Sequence, residues 1–285
     1  MFTLQILGLG ELRSSIVQLL PLSNIANLRC SKFSVSLTVS YSDESHFLVA
    51  AFQMFDPFFT IFSARDGNYN LNIDLQELSQ IILEDDLFLT ILVPSVVSSA
   101  SLISLTRDGE FRSLALLGAM PPQDMTVSKF DLNLFVAVDA AKLREIATRL
   151  SDQNGTIFAT ASTSQVIFYE KTRTGEITGV TVLTAQRREC LGGGFDDRVD
   201  EINFSFALKP KAFFHGALGV TKLVWFFKST RWNTTMVCFT REWSNIVACY
   251  PRYNYVSSLL NSFTLDRIRR RSSKLKSLMP GYLWK

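Results

Sequence analysis

Residues 139–164, DAAKLREIATRLSDQNGTIFATASTS, pass from one periodicity to another. Leu143, Ile146, Ala147 and Leu150 recur at the i, i+3, i+4, i+7 spacing of a helix with one apolar face, while Lys142, Glu145 and Arg149 fall on the opposite side. Asp139 stands where an N-cap belongs. Asp152, Gln153, Asn154 and Gly155 read as a turn, and the β-branched and aromatic segments 156–160 and 165–169 predict two strands with a short polar link. The same order opens the chain. Residues 2–7 alternate as a strand, 11–20 set Leu12, Ile16 and Leu19 on one helical stripe with Arg13 off it, and 33–39 alternate again. The pattern predicts one plan used twice.

Between and beyond these stretches the pattern continues. Residues 46–62, HFLVAAFQMFDPFFTIF, are apolar and alternating, and Pro57 divides them into two strands or one strand bent at a sheet edge. Gly67 and Asn68 make a turn. Asp74 to Glu77 is a capping box, opening a second helix whose buried stripe is Leu75, Leu78, Ile81 and Ile82. Strands are expected at 87–93, 101–106 and 111–117. Residues 118–131, GAMPPQDMTVSKFD, lose all periodicity and carry two consecutive prolines, as an extended connector does. Further strands are expected at 132–138, 179–184, 202–208, 224–227, 236–240 and 246–250, and a fourth helix is opened by Lys209, Pro210 and Lys211 with proline in its first turn. Gly192, Gly193 and Gly194 fit neither GxxxxGK[ST] nor GxGxxG, so residues 187–200 are expected to be a mobile surface loop rather than a phosphate cradle.

Composition narrows the class. A chain of 285 residues that is 47% hydrophobic, with 23 phenylalanines, can bury a large core and is long enough for two domains. A net charge of +3 is too mild to specify a nucleic-acid partner by itself, so the position of the cations has to do so. Cys30, Cys190, Cys238 and Cys249 stand far apart, without a CxxC pair and with only two histidines in the chain. They read as buried thiols in a reducing compartment, not as a zinc site. No apolar run is long enough to span a bilayer and no cationic leader opens the chain, so an intracellular protein is expected, in which the sequons at Asn154 and Asn233 are chance matches. His46 and His215 lie near no nucleophile motif, and the pairs Asp85–Asp86 and Asp196–Asp197 lack further ligands at metal spacing. Enzyme, metal and cofactor are therefore not expected. Residues 263–285 carry Arg267, Arg269, Arg270, Arg271, Lys274 and Lys276 with Tyr282 and Trp284, which fits a solvated tail, a DNA- or partner-binding tail, or a nuclear localisation signal.

With the two copies laid out, the chain resembles the sliding DNA clamp superfamily, the PCNA-like proteins. The matching stretches are 71–83 (LNIDLQELSQIIL), 135–160 (FVAVDAAKLREIATRLSDQNGTIFAT) and 202–218 (INFSFALKPKAFFHGAL). The fold implied is α+β: two similar domains, each with two helices packed on antiparallel sheets, at 1–117 and 132–255, joined by the connector 118–131 and followed by the basic tail 256–285. The chain departs from the family pattern at its end, where ACYPRYNYV and a basic tail replace an apolar strand and an acidic tail. Its FDPFFTIF is more similar to damage-checkpoint clamp subunits, or to a viral DNA polymerase processivity factor.

The resemblance implies a nuclear protein that encircles duplex DNA as a homotrimeric or heterotrimeric ring and tethers polymerase, repair or checkpoint proteins. Its helices would line the channel, with Arg13, Lys142, Arg144, Arg149, Lys209, Lys211 and Lys222 meeting phosphates. Partner proteins would dock beneath the connector, with Met120, Pro121 and Met125 at the rim, and the subunit edges would be near 113–117 and 178–183. The second helix is the misfit, since Gln76, Glu77, Gln80 and Glu84 would repel phosphate. Two alternatives stay open: a monomeric or dimeric viral-type processivity factor, and a non-catalytic interaction scaffold without DNA binding.

Overall fold

The computed structural model describes residues 2–31, 34–43, 46–64, 69–82, 88–93, 101–105, 111–115, 117, 130–150, 155–172, 174–195, 201–229 and 234–250. The first half runs β1 (Phe2–Ile6), α1 (Leu9–Leu19), β2 (Ile25–Ser31), β3 (Ser34–Ser42), β4 (Phe47–Met54), β5 (Phe59–Ala64), β6 (Tyr69–Asp74), α2 (Leu75–Ile81), β7 (Phe88–Val93), β8 (Ser101–Leu105) and β9 (Phe111–Ala115). The second half runs β10 (Phe130–Asp139), α3 (Ala140–Leu150), β11 (Thr156–Ala161), β12 (Gln165–Lys171), β13 (Ile177–Thr184), β14 (Cys190–Gly193), β15 (Ile202–Ala207), α4 (Lys211–Gly219), β16 (Leu223–Ser229), β17 (Thr235–Thr240) and β18 (Ser244–Tyr250). Element for element the order is the same. A short 3-10 turn containing Pro57 separates β4 from β5, as the break in the apolar run requires.

The pairing repeats as well. Three antiparallel sheets form, in the orders β5-β1-β7-β8-β9, β13-β12-β11-β15 and β14-β10-β16-β17-β18-β4-β3-β2-β6. Every pairing within the first half has its counterpart in the second: β1 with β5 and β7 corresponds to β10 with β14 and β16, and β2 with β3 and β6 to β11 with β12 and β15. What joins the halves is β18 pairing with β4, from Ser244 opposite Met54 to Cys249 opposite Val49. By the repeat, β18 corresponds to β9 and β4 to β13. Those two strands each end a sheet.

The helices pack on one face of this layer. Leu12, Ile16 and Leu19 of α1, Leu75 and Leu78 of α2, Leu143, Ile146, Ala147 and Leu150 of α3, and Phe213, Phe214, Ala217 and Leu218 of α4 are all buried in one core with the strands beneath. Around α4 that core is aromatic: Phe206 stacks on Phe214 with centroids 5.5 Å apart, and Phe239 meets Phe213 and Phe214 edge-on. A second cluster, including Val49, Ala137, Trp225, Phe227, Met236, Cys238 and Cys249, lies on the other face of the nine-stranded sheet. That sheet is thus buried on both sides. All four cysteines are buried free thiols, and burial pushes the Cys238 thiol up to about 12, so it is a packing group at neutral pH.

Two local expectations need correction. The glycine run is not a mobile loop: Gly192 and Gly193 belong to β14, which pairs with β10, and Arg187 ends a 3-10 turn just before it. A Cβ on Gly193 would lie 2.6 Å from a carbon of the Phe135 ring, so the glycines let this strand press against an aromatic side chain. Pro210 is not inside the first turn of α4 but caps it, in extended conformation. The strand β2 escaped the sequence reading. Residues 83–87 and 196–200, with the two Asp pairs, and 251–285, with the basic tail, lie outside the described residues.

Candidate nucleic-acid interface

The four helices sit side by side, α2 against α1, α1 against α4 and α4 against α3. Their caps follow from the sequence. The Asp74 carboxylate accepts from the Glu77 amide at 2.9 Å, and Asp139 from the Lys142 amide at 3.0 Å, each satisfying an otherwise unpaired donor of the first turn. Because the apolar stripes point into the core, the polar faces are turned outward together.

On α3 the exposed residues are Ala141, Arg144, Glu145, Thr148 and Arg149, which line a shallow open depression. Lys142, half-buried, pairs with Glu145 at 3.2 Å, which offsets part of its charge. Arg144 reaches across to α4 and donates to the Leu218 carbonyl at 2.8 Å. Near α4, Lys209, Lys211 and Lys222 are all exposed. The Lys209 stem lies against Gly155 at the start of β11. Arg144 and Lys211 both act on His215, half-buried on α4: burial first, then these two cations, hold its imidazole below the ordinary histidine range. The structure therefore brings Arg144, Lys211 and His215 together where α3 and α4 meet.

The first half is different. On α1 the outward residues are Gly10 and Val17, with Arg13 half-buried, and on α2 they are Gln76, Glu77 and Gln80. Glu84 lies outside the described residues. Of the seven cations named from sequence, six gather on the second half and Arg13 stands apart.

Sequence reasoning passed over Arg241, which follows β17. Its Nη1 donates to Ser15 Oγ at 2.8 Å and to the Glu11 carbonyl at 3.3 Å, and its Nη2 to Gln18 Oε1 at 2.7 Å, so it holds α1 to the second half. Glu11 also accepts from Ser244 Oγ. No local pattern marks such a residue, because its partners are 223 to 230 positions away. His46 makes another bridge: Nδ1 hydrogen-bonds Asp43 at 3.3 Å and Nε2 hydrogen-bonds Thr156 Oγ1 of β11 at 3.1 Å. Among the described residues no group of three or more His, Cys, Asp or Glu side chains gathers as a metal site.

The connector residues Met120, Pro121 and Met125 lie outside the described residues. The described chain stops at Leu117, bridged to Asn72 of β6, and resumes at Phe130 of β10, opposite Ser229 of β16 and seven strands from β6 in the same sheet.

A duplicated half with two helices on one face and antiparallel sheets on the other is the architecture of the sliding DNA clamps, and this chain has that fold. In particular, it is similar to the Proliferating Cellular Nuclear Antigen (PCNA) of Entamoeba histolytica, with a TM-score of 0.66 at 17% identity over 88% of this chain and 98% of that one. It is likewise similar to PCNA of Thermococcus kodakaraensis, with a TM-score of 0.64 at 12% identity over 88% and 99% of the two chains. No family model matches the sequence, and no curated protein matches it.

Proposed function

We propose that this chain is a non-enzymatic sliding-clamp subunit that holds duplex DNA against the cationic faces of α3 and α4 and tethers polymerase, repair or checkpoint proteins in the nucleus. The observation that carries the assembly is the junction inside the chain. The pairing of β18 with β4 joins one half to the next edge to edge, and the equivalent strands β9 and β13 are left at sheet ends. The same junction made between chains would be head-to-tail, and a head-to-tail contact that closes gives a ring. β13 carries exposed Ile177, Val180 and Val182, an apolar edge suited to being covered.

Arg144, Arg149, Lys209, Lys211, Lys222 and, less deeply committed because of Glu145, Lys142 are the proposed phosphate contacts, with Arg13 the sole one from the first half. Such contacts are independent of base sequence and exchange with salt, as sliding requires. Met120, Pro121 and Met125 are the proposed rim of a partner groove over the nine-stranded sheet. The uneven charge favours a second reading, a processivity factor that rides DNA on one basic face without closing a ring.

Light scattering on the purified chain separates the two. A mass near three times 32.1 kDa is expected for the self-closing ring. A concentration-independent monomer that binds DNA would overturn the homotrimer and favour the one-faced reading, and a monomer that does not bind DNA would leave a scaffold or a ring subunit dependent on paralogues.

A further inference from the structure

His215 is half-buried on α4, among the proposed phosphate contacts. On α4, Lys211, His215 and Gly219 are spaced four apart on one outward face, so Lys211 and the imidazole are neighbours one turn apart. From α3, Arg144 is fixed over the same turn by its 2.8 Å bond to the Leu218 carbonyl. Gly219 lies beside the same guanidinium: a Cβ there would sit in ordinary van der Waals contact with Arg144 Nη2, at 3.8 Å.

Of the other charges around α4, Lys209 just before it and Lys222 just after it are exposed and positive. On α3, Lys142 and Glu145 pair with each other and Arg149 lies more than a turn beyond Arg144. On α1, which meets α4 through Gln18 beside Gly216, Glu11 is engaged by Ser244 and lies beside Arg241, and Arg13 is the remaining cation. From the sheet beneath, Phe206 and Phe239 pack their rings against α4. Arg144 and Lys211 are the charges that act on His215, and both are positive.

We infer that Arg144, Lys211 and His215 form one phosphodiester-binding site at the α3–α4 crossing, in which His215 takes a proton from solvent as the phosphate docks, so that DNA affinity rises as pH falls. This rests on the proposal that these helices face duplex DNA. The physical reason is mutual neutralisation. In the unliganded protein two cations and partial burial favour the neutral imidazole. A phosphate set between the three groups offsets both cations and offers an acceptor, which favours the imidazolium instead. By linkage, uptake of one proton steepens affinity by at most about tenfold per pH unit.

The test is binding of a fluorescent duplex at low, constant salt between pH 8 and pH 5.5, for the wild type, His215→Gln and His215→Lys, with folding checked by thermal melting. The wild type should gain about threefold to tenfold in affinity across pH 7 to 6, His215→Gln should flatten that gain, and His215→Lys should flatten it at high affinity. With only two histidines in the chain, the Cε1 proton resonance of His215 gives its titration directly, and its midpoint should move upward when the duplex is added. DNA binding with a wild-type pH profile in His215→Gln, or with an unmoved His215 midpoint, overturns this site and leaves the clamp reading standing. Loss of all DNA binding at every pH, in the wild type, overturns both.

Discussion

Replacing Arg241 with methionine should loosen the two halves of the chain from each other. Arg241 makes three hydrogen bonds to α1, at 2.7, 2.8 and 3.3 Å, and Ser15, which accepts one of them, itself donates to the Glu11 carbonyl. Burial of the guanidinium works against its charge and Glu11 works in its favour, so the side chain is retained by its partners. Hydrogen bonds from a charged donor contribute about 1.5–3 kcal/mol each when deleted singly, but the three share one partly exposed group and do not add. Methionine keeps the volume, so the loss is polar, and we expect about 2–3 kcal/mol. Urea unfolding followed by tryptophan fluorescence and by circular dichroism gives the stability, and the two probes should cease to coincide as the first half unfolds ahead of the second. A double cycle with Gln18→Ala should return a coupling of about 1 kcal/mol. A change under about 0.5 kcal/mol with coincident transitions would refute the claim that this side chain joins the halves.

Three further outcomes follow from the packing. Phe206→Ala removes a ring that is 1% exposed and touches Phe214, Phe226 and Tyr250, and should cost about 3–5 kcal/mol by thermal or urea unfolding. Gly179→Ala places a Cβ at a left-handed position, φ 63°, against the Leu150 side chain, and should cost about 2 kcal/mol in the same assay. Val182→Lys changes a residue that is 45% exposed on the edge strand β13, so it should leave the unfolding transition in place while light scattering shows the assembly falling apart; an unchanged mass would remove β13 from the interface.

Where local periodicity decides the structure, the sequence was readable. The α3 stripe, the Asp74 and Asp139 caps and the break at Pro57 were all legible because each depends on residues within a turn of one another. The repeat was legible for the same reason, as order. The glycine run misled because its cause is Phe135, nearly sixty residues earlier, and the strand β2 was passed over because Asn27 and Arg29, polar in sequence, are buried in the nine-stranded sheet, where Asn27 donates to Asn72 at 3.1 Å. Of the candidate site, the cations could be named one by one from helix faces. Their meeting with His215 could not, since it depends on how α3 crosses α4. The same holds for the edges: β9 and β13 could be guessed by position, but only the pairing of β18 with β4 shows what their equivalents do.

The salt dependence of duplex binding tests the central claim most directly, comparing the wild type with Arg13→Gln and with the triple variant Arg144→Gln, Arg149→Gln, Lys211→Gln. If α3 and α4 hold the phosphates, log affinity falls linearly with log salt, the triple variant lowers that slope by about three, and Arg13→Gln lowers it by about one at most. A triple variant that binds DNA with the wild-type affinity and slope would contradict the account.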